Sequence, residues 1–414
     1  MSNAVPDPEV TKLTFRLEKW RAANLGVLET ALSTFLVLIA IRVYEADAGI
    51  KAFLVGGYSL GLLVGPLVVF LVSKGQYRAS SAAAAFSALG GTGFLLAAFG
   101  PGLESYVAGS IIGTAAMTAS IPLVIQITHD NYPAHKRGYL FSKTALIRIM
   151  VAAIFGDIAG RFLTGNYEAF PWVLAAYALA LYLGAWLLMR IPSSPIAAGR
   201  QPMPWKSLQI LRDDRAFRNL LIAWFVMGFG NLMMFAVRVE YVGNPVHGIR
   251  LSALEVAFLT AVVPSVARLL SSTFWGKLFD RMDFFLLRIV LNVVFAVAIL
   301  CYFLTTNLFM LVFGSILFGI ARGGGEIAWS LWVTKFARPE NVADYMAVHT
   351  FLTGVRAFTA PFVAFYALGI MSMQSLAWIG FGLTAISCFM IFPQMGPSQP
   401  IQDDETLSEQ GVTE

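Results

Sequence analysis

Arg322 and Glu326 stand four residues apart in a run that is otherwise largely apolar from Leu308 to Ala328, with Gly323, Gly324 and Gly325 between them. On a helix the two charges share one face. Ionised groups inside a long apolar run are costly and face an internal cavity rather than lipid. The glycines remove side-chain bulk, so a neighbouring backbone can come close. Arg148 and Arg356 fall near the middle of two other apolar runs. A guanidinium stays charged and holds a carboxylate or phosphate through paired hydrogen bonds. Arg148, Arg322 and Arg356 are therefore candidate substrate-binding groups, and Trp329 could stack on a ring of the bound molecule. Glu29, Glu326 and His349 are the candidates for carrying a proton, because their charge depends on burial and on nearby ions. Ser33 shares the helix face of Glu29, and His349 that of Arg356. Each feature also has a plainer reading: an Arg322–Glu326 pair that only locks helices together, and a tryptophan that packs or anchors at an interface.

The four histidines are scattered over loops and helices, and Cys301 and Cys388 both lie in apolar runs. The His129 and His135 pair has no cysteine or carboxylate set beside it, so neither a metal site nor a cofactor is expected, and the chain does not read as an enzyme. Of 414 residues, 57% are hydrophobic and 13% charged. Soluble domains carry roughly twice that share of charge, so this is an integral membrane protein. The net charge of +5 is spread over short loops, which excludes a nucleic-acid surface.

Positioning those charges takes helices of ~20 apolar residues. The hydropathy pattern predicts twelve, at 22–43, 51–73, 80–99, 104–128, 138–163, 169–190, 217–239, 253–275, 286–305, 307–334, 345–369 and 374–393. Residues 1–21 include a basic amphipathic segment, 11–21, expected to lie at the membrane surface. A polar, proline-bearing loop at 191–216 divides the spans into six (22–190) and six (217–393), and an acidic tail at 394–414 reads as disordered. Nineteen of the 29 lysines and arginines fall on the side shared by both termini, against five opposite (Arg42, Lys51, Arg161, Arg238 and Arg250). That bias predicts cytoplasmic termini and a multi-pass protein of a bacterial inner membrane. The halves echo each other at an offset of 206 residues: Pro133 meets Pro339, Tyr139 meets Tyr345, and Leu146 meets Leu352. This suggests a duplicated bundle.

Between spans 8 and 9 the chain reads Gly276-Lys-Leu278-Phe-Asp280-Arg281. This resembles the loop signature of the major facilitator superfamily, and with the twelve spans and central loop the resemblance covers almost the whole chain. It implies an all-α membrane fold of two pseudo-symmetric six-helix bundles working by alternating access. It also implies a gating role for Gly276, Asp280 and Arg281, in contact with the start of span 11. The loop after span 2, Ser73 to Arg78, lacks the acid, and the fuller signatures of drug antiporters and sugar porters are missing. In that fold spans 3, 6, 9 and 12 are outermost, and these four carry no ion in their apolar cores. The interior ions are Glu29, Lys143, Arg148, Asp157, Arg268, Arg322, Glu326, His349 and Arg356, on spans 1, 5, 8, 10 and 11.

Five basic residues against three acids leave two positive charges in excess. The expectation is a secondary transporter of a small organic anion, coupled to protons, with sodium as the other possible ion through Asn231. An exporter of amphipathic compounds is the rival within the fold, and a sensor or assembly factor without flux the rival outside it. The expected partners are the substrate, the coupling ion and the lipid bilayer, with the protein a monomer.

Overall fold

The computed structural model describes residues 7–195, 209–331 and 342–392. The tail from 394 and half of the central loop, 196–208, lie outside them. Regular structure among the described residues is helical, and we number twelve segments. In the first half these are α1 (Pro8–Arg42), α2 (Ala48–Gly56 with Tyr58–Lys74), α3 (Ala79–Phe99), α4 (Gly102–Asn131), α5 (Ala134–Leu163) and α6 (Tyr167–Arg190). The second half has α7 (Phe217–Gly243), α8 (Ala253–Phe279), α9 (Phe284–Phe303), α10 (Leu308–Leu331), α11 (Val342–Ala367) and α12 (Met373–Ile391). Side-chain caps define their starts. Asp7 accepts from the Glu9 amide, Asp47 from Ile50, Asp214 from Phe217 and Asp283 from Phe285 and Leu286, while Ser252 and Glu255 form a capping box. Large apolar side chains such as Leu270, Phe309 and Phe389 stay exposed, which suits a surface in contact with lipid.

The halves repeat one another in packing. In the first, α3 packs on α6 and α4, α1 on α5 and α6, and α2 on α4; adding six to each number gives the pairs of the second. Between halves, α2 meets α11, α5 meets α8, and the far ends of α1 and α7 meet. Gly156 and Gly160 of α5 face Ala261 and Ala257 of α8, where an added Cβ would lie 3.1 and 3.0 Å from the alanine methyls.

The apolar cores reveal the shape. One cluster, including Leu38, Ala159, Val237, Val256 and Phe365, runs across both halves at the end far from the N terminus. At the near end each half keeps its own core, around Leu17, Val72 and Leu123 in one and around Phe217, Trp275 and Leu287 in the other. The halves are thus joined at the far end and separately packed at the near end.

Two departures from the sequence reading concern helix ends. Residues 11–21 continue α1 without a break instead of forming a separate surface segment, because their polar groups find protein partners. Thr11 donates to the Asn131 carbonyl, Asn131 donates to Thr14 (3.0 Å), and Arg21 pairs with buried Glu18 through two 2.7 Å bonds. Arg288, counted with the basic residues of the N-terminal side at the start of the span predicted at 286–305, lies in the first turns of α9 and is buried against the Trp224 ring at 4.6 Å. Here a cation on an outermost helix points inward, where an aromatic face receives it.

Candidate functional site

Five ionic side chains converge where the halves meet. The first half supplies Glu29 and Arg148; the second supplies Arg268, Arg322 and Glu326. Arg268 Nη1 donates to Glu29 Oε1 at 2.6 Å and to Glu326 Oε1 at 3.2 Å, and its Nη2 reaches Glu29 Oε2 at 3.3 Å. Arg322 Nη2 lies 3.0 Å from Glu29 Oε1, and its Nε 3.3 Å from Glu326 Oε1. Arg148 stands slightly back, 3.6 Å from Glu29 and 3.7 Å from Glu326. The Arg268 side chain is 2% exposed and Glu29 13%, whereas Arg148, Arg322 and Glu326 keep 33%, 35% and 41%. One side of the cluster is therefore locked and the other is reachable.

The backbone builds this arrangement. Beside Glu29, α1 loosens into a π turn at Ala31–Phe35, and α8 does the same at Phe258–Val262 before reaching Arg268. The two π turns face each other, and Thr34 and Thr260 share a 2.7 Å hydroxyl hydrogen bond across the halves. π turns of this kind occur where a helix must re-aim side chains. On α10, Gly323 brings the backbone against Arg268 and Ser271 of α8, and Gly324 admits Trp275 and Leu291. The helix stays continuous through the three glycines, which serve close approach rather than a bend.

A cavity with room for about one water adjoins the cluster, lined by Glu29, Ser33, Thr260, Ser265, Arg268 and Arg322. Ser33 borders it and bonds Thr34 at 3.3 Å. A larger recess of about 90 Å3 between α1, α4 and α5 leads from Glu18, Arg21 and Tyr132 to Arg148.

The other predicted site residues lie elsewhere. Arg356 is buried within the second half, where Nη1 donates to the Trp224 carbonyl at 2.7 Å and the guanidinium lies against Gly228. His349 packs between Trp224 and Trp329, with ring centroids 5.1 and 5.6 Å away, so Trp329 faces that histidine. Lys143 lies over Tyr139, and Asp157 pairs with Arg161 at 2.7 Å on an exposed face of α5. Asn231 is engaged by Met227 and Thr384. The loop-signature residues sit at the near end of α8. Gly276 has open space around it, Arg281 is exposed, and the Asp280 side chain lies outside the described residues. Among the described residues no three His, Cys, Asp or Glu side chains gather.

The structure also uses ions that sequence reasoning passed over. Arg268 met the criterion applied to its neighbours, a lone charge inside an apolar span. Lys51 and Arg238 were read as surface charges and Glu240 was not singled out, yet all three are buried. The signal for them is weak, because each lies within a few residues of the end of an apolar run. At that far end Lys51 Nζ meets Glu240 Oε2 at 2.9 Å across the halves. Asn244 holds the other carboxylate oxygen at 2.7 Å, with His247 at 3.6 Å. Arg42 reaches the Leu251 carbonyl, and the Leu254 amide donates to Thr164. Polar contacts joining the halves among the described residues thus lie at the cluster or beyond it, toward the far end.

Comparison with known proteins agrees with this architecture. Residues 246–414 match the family model of the Major Facilitator Superfamily. No curated protein matches the chain in sequence. Among solved structures, a variant of the nucleoside transporter NupG aligns with a TM-score of 0.74 at 14% identity, covering 93% of this chain and 100% of the other. The D-xylose-proton symporter aligns at 0.66 and 14% identity, covering 92% and 96%. A bacterial homolog of the human lysosomal transporter Spinster, inward-facing and occupied, aligns at 0.65 and 14%, covering 93% and 96%. At such identities the likeness is one of fold.

Proposed function

We infer that this chain, a transporter of the major facilitator type, moves a small organic anion by alternating access through the cluster of Glu29, Arg148, Arg268, Arg322 and Glu326. The observation that carries the reading is the distribution of that cluster: three guanidiniums and two carboxylates, contributed by both halves and reachable on one side. One positive charge is left over, and an entering carboxylate or phosphate would satisfy it through paired hydrogen bonds. Arg148 and Arg322, the half-exposed arginines, bind the solute. Arg268, bound on both sides by carboxylates, positions them.

The same contacts supply a coupling. Glu29 and Arg148 reach across the halves to Arg268, Arg322 and Glu326, so these pairs hold the halves together at mid-depth. An anion that takes over Arg148 and Arg322 weakens them and lets the halves rock about the site. A proton on Glu326, the more exposed carboxyl, acts in the same direction by releasing its arginines to the solute. Anion and proton then favour each other, which is symport. The proton symporter among the structural neighbours lends the coupling indirect support. The excess of lysine and arginine on the N-terminal side makes the near end cytoplasmic, and the separate near-end cores make this conformation inward-facing. Gly276, Asp280 and Arg281, whose motif resembles the superfamily's loop signature, would form the cytoplasmic gate.

Purified protein in liposomes tests the assignment, with binding of organic anions read by thermal shift and flux measured for those that bind. Arg148→Ala and Arg322→Ala should each weaken the anion ~10–100-fold, the range for losing a hydrogen bond to a charged group. Unchanged affinity in both variants refutes the site.

A further inference from the structure

Arg238 is the largest polar anomaly near the site. It opens the last helical turns of α7, just after a break at Val237, and is 1% exposed. Among the described residues no carboxylate lies within ion-pairing distance of it. Its Nε has no hydrogen-bond partner, and its Nη2 makes a long 3.5 Å contact with the Thr260 carbonyl. The remaining contacts are aromatic: the guanidinium carbon lies 4.0 Å from the Phe235 ring centre and 5.4 Å from that of Phe318. Tyr302, whose buried hydroxyl also lacks a partner, packs on the same Phe318 at 5.6 Å. A buried guanidinium without an acid is expensive, and an apolar side chain of similar size would normally be more stable there.

Its position ties it to the central site. Thr260, which it contacts, lines the small cavity beside Glu29, Arg268 and Arg322. Arg322 lies over the same Phe235 ring, 5.6 Å from its centre, so the guanidinium carbons of Arg238 and Arg322 are within about 10 Å of each other. Two carboxylates, each about 2.8 Å from a guanidinium nitrogen, can bridge such a gap with a short carbon chain between them. A phosphate, carrying two charges on one centre, can be shared by two guanidiniums that draw together.

We propose that the solute is a dianion, a small dicarboxylate or a phosphate, and that Arg238 receives its second negative charge. This rests on the anionic reading of the central cluster and sharpens it. Counting Arg238, four guanidiniums face two carboxylates, so the site carries two positive charges in excess among the described residues. A monoanion leaves one of these unpaired in a buried space; a dianion leaves none. The Phe235 ring, in contact with both guanidiniums, walls the path. The small cavity at Thr260 marks where the solute group passes as the far end opens.

The test uses the full-length protein, its Arg238→Met variant and the Arg322→Ala variant, with thermal-shift titrations of succinate and inorganic phosphate against acetate and benzoate at pH 7.5. In the native protein succinate or phosphate should bind at least tenfold more tightly than either monoanion. In Arg238→Met that preference should vanish while the monoanion affinities hold. The unliganded variant should melt no lower than the native protein, because it loses an unpaired charge. Succinate alone responding identifies a dicarboxylate, and phosphate alone a phosphate compound. Equal dianion and monoanion binding, unaffected by Arg238→Met, overturns the dianion while leaving the anionic site standing. Loss of monoanion and dianion binding together in Arg238→Met also overturns it. Absence of any anion response, in the native protein and in Arg322→Ala alike, removes the anionic reading itself.

Discussion

Replacing Lys51 with methionine should open the far end of the molecule. Lys51 comes from α2 and Glu240 from α7, so their 2.9 Å pair exists only while the halves touch there. Both side chains are nearly buried, at 11% and 5% exposure. At that separation the Coulomb attraction is about 6 kcal/mol with an effective dielectric of 20. Much of it offsets the cost of taking both charges out of water. Removing one partner from a buried pair typically costs about 3–5 kcal/mol, because the other charge is left uncompensated. Asn244 and His247 still contact Glu240 in the variant, so the lower figure applies. About 3 kcal/mol shifts an equilibrium roughly 100-fold. It does so only against the conformation closed at this end, since opening lets water reach Glu240. Spin labels on cysteines at Glu45 and Arg250, exposed positions on the two facing loops, report the separation once Cys301 and Cys388 are changed to serine. Lys51→Met should transfer population to a longer distance, and the double variant Lys51→Met with Glu240→Leu should return most of it. A distance distribution in Lys51→Met identical to the native one would refute the reasoning, as would a double variant at least as open as the single.

Three further outcomes follow from the site. Glu326→Gln should abolish accumulation driven by a proton gradient while leaving counterflow of the solute measurable; undiminished proton-driven accumulation removes Glu326 as the carrier. Gly324→Val should lower the melting temperature by the equivalent of about 1–3 kcal/mol of overpacking, since its side chain would enter the Trp275 and Leu291 contacts. Gly325→Ala, with open space at its Cβ, should instead raise stability by ~0.5–1 kcal/mol through helix propensity, and a melt showing the two variants alike would contradict the packing.

What the amino-acid sequence determined by itself is what local physics governs. Hydropathy over some twenty residues locates a spanning helix, because the cost of a polar group in hydrocarbon is paid residue by residue. The same cost confined most interior charges to spans 1, 5, 8, 10 and 11, and so revealed where a wet interior must lie. Glu29, Arg148, Arg322 and Glu326 could be nominated in this way. Tertiary structure decided which of them meet. Arg356 looked equivalent to Arg148 by depth and, to within two residues, by repeat position, yet it points at the Trp224 carbonyl inside its own half. The rotation of α11 about its axis is set by packing on α2 and α7, and no local pattern encodes it. Arg268 joined the cluster because a π turn and close-packed glycines on α10 aim it there. Lys51 and Arg238 looked like surface charges because they sit at span ends. They became interior when two halves, far apart in sequence, closed over them. Burial at an interface belongs to both partners and cannot be read from either one.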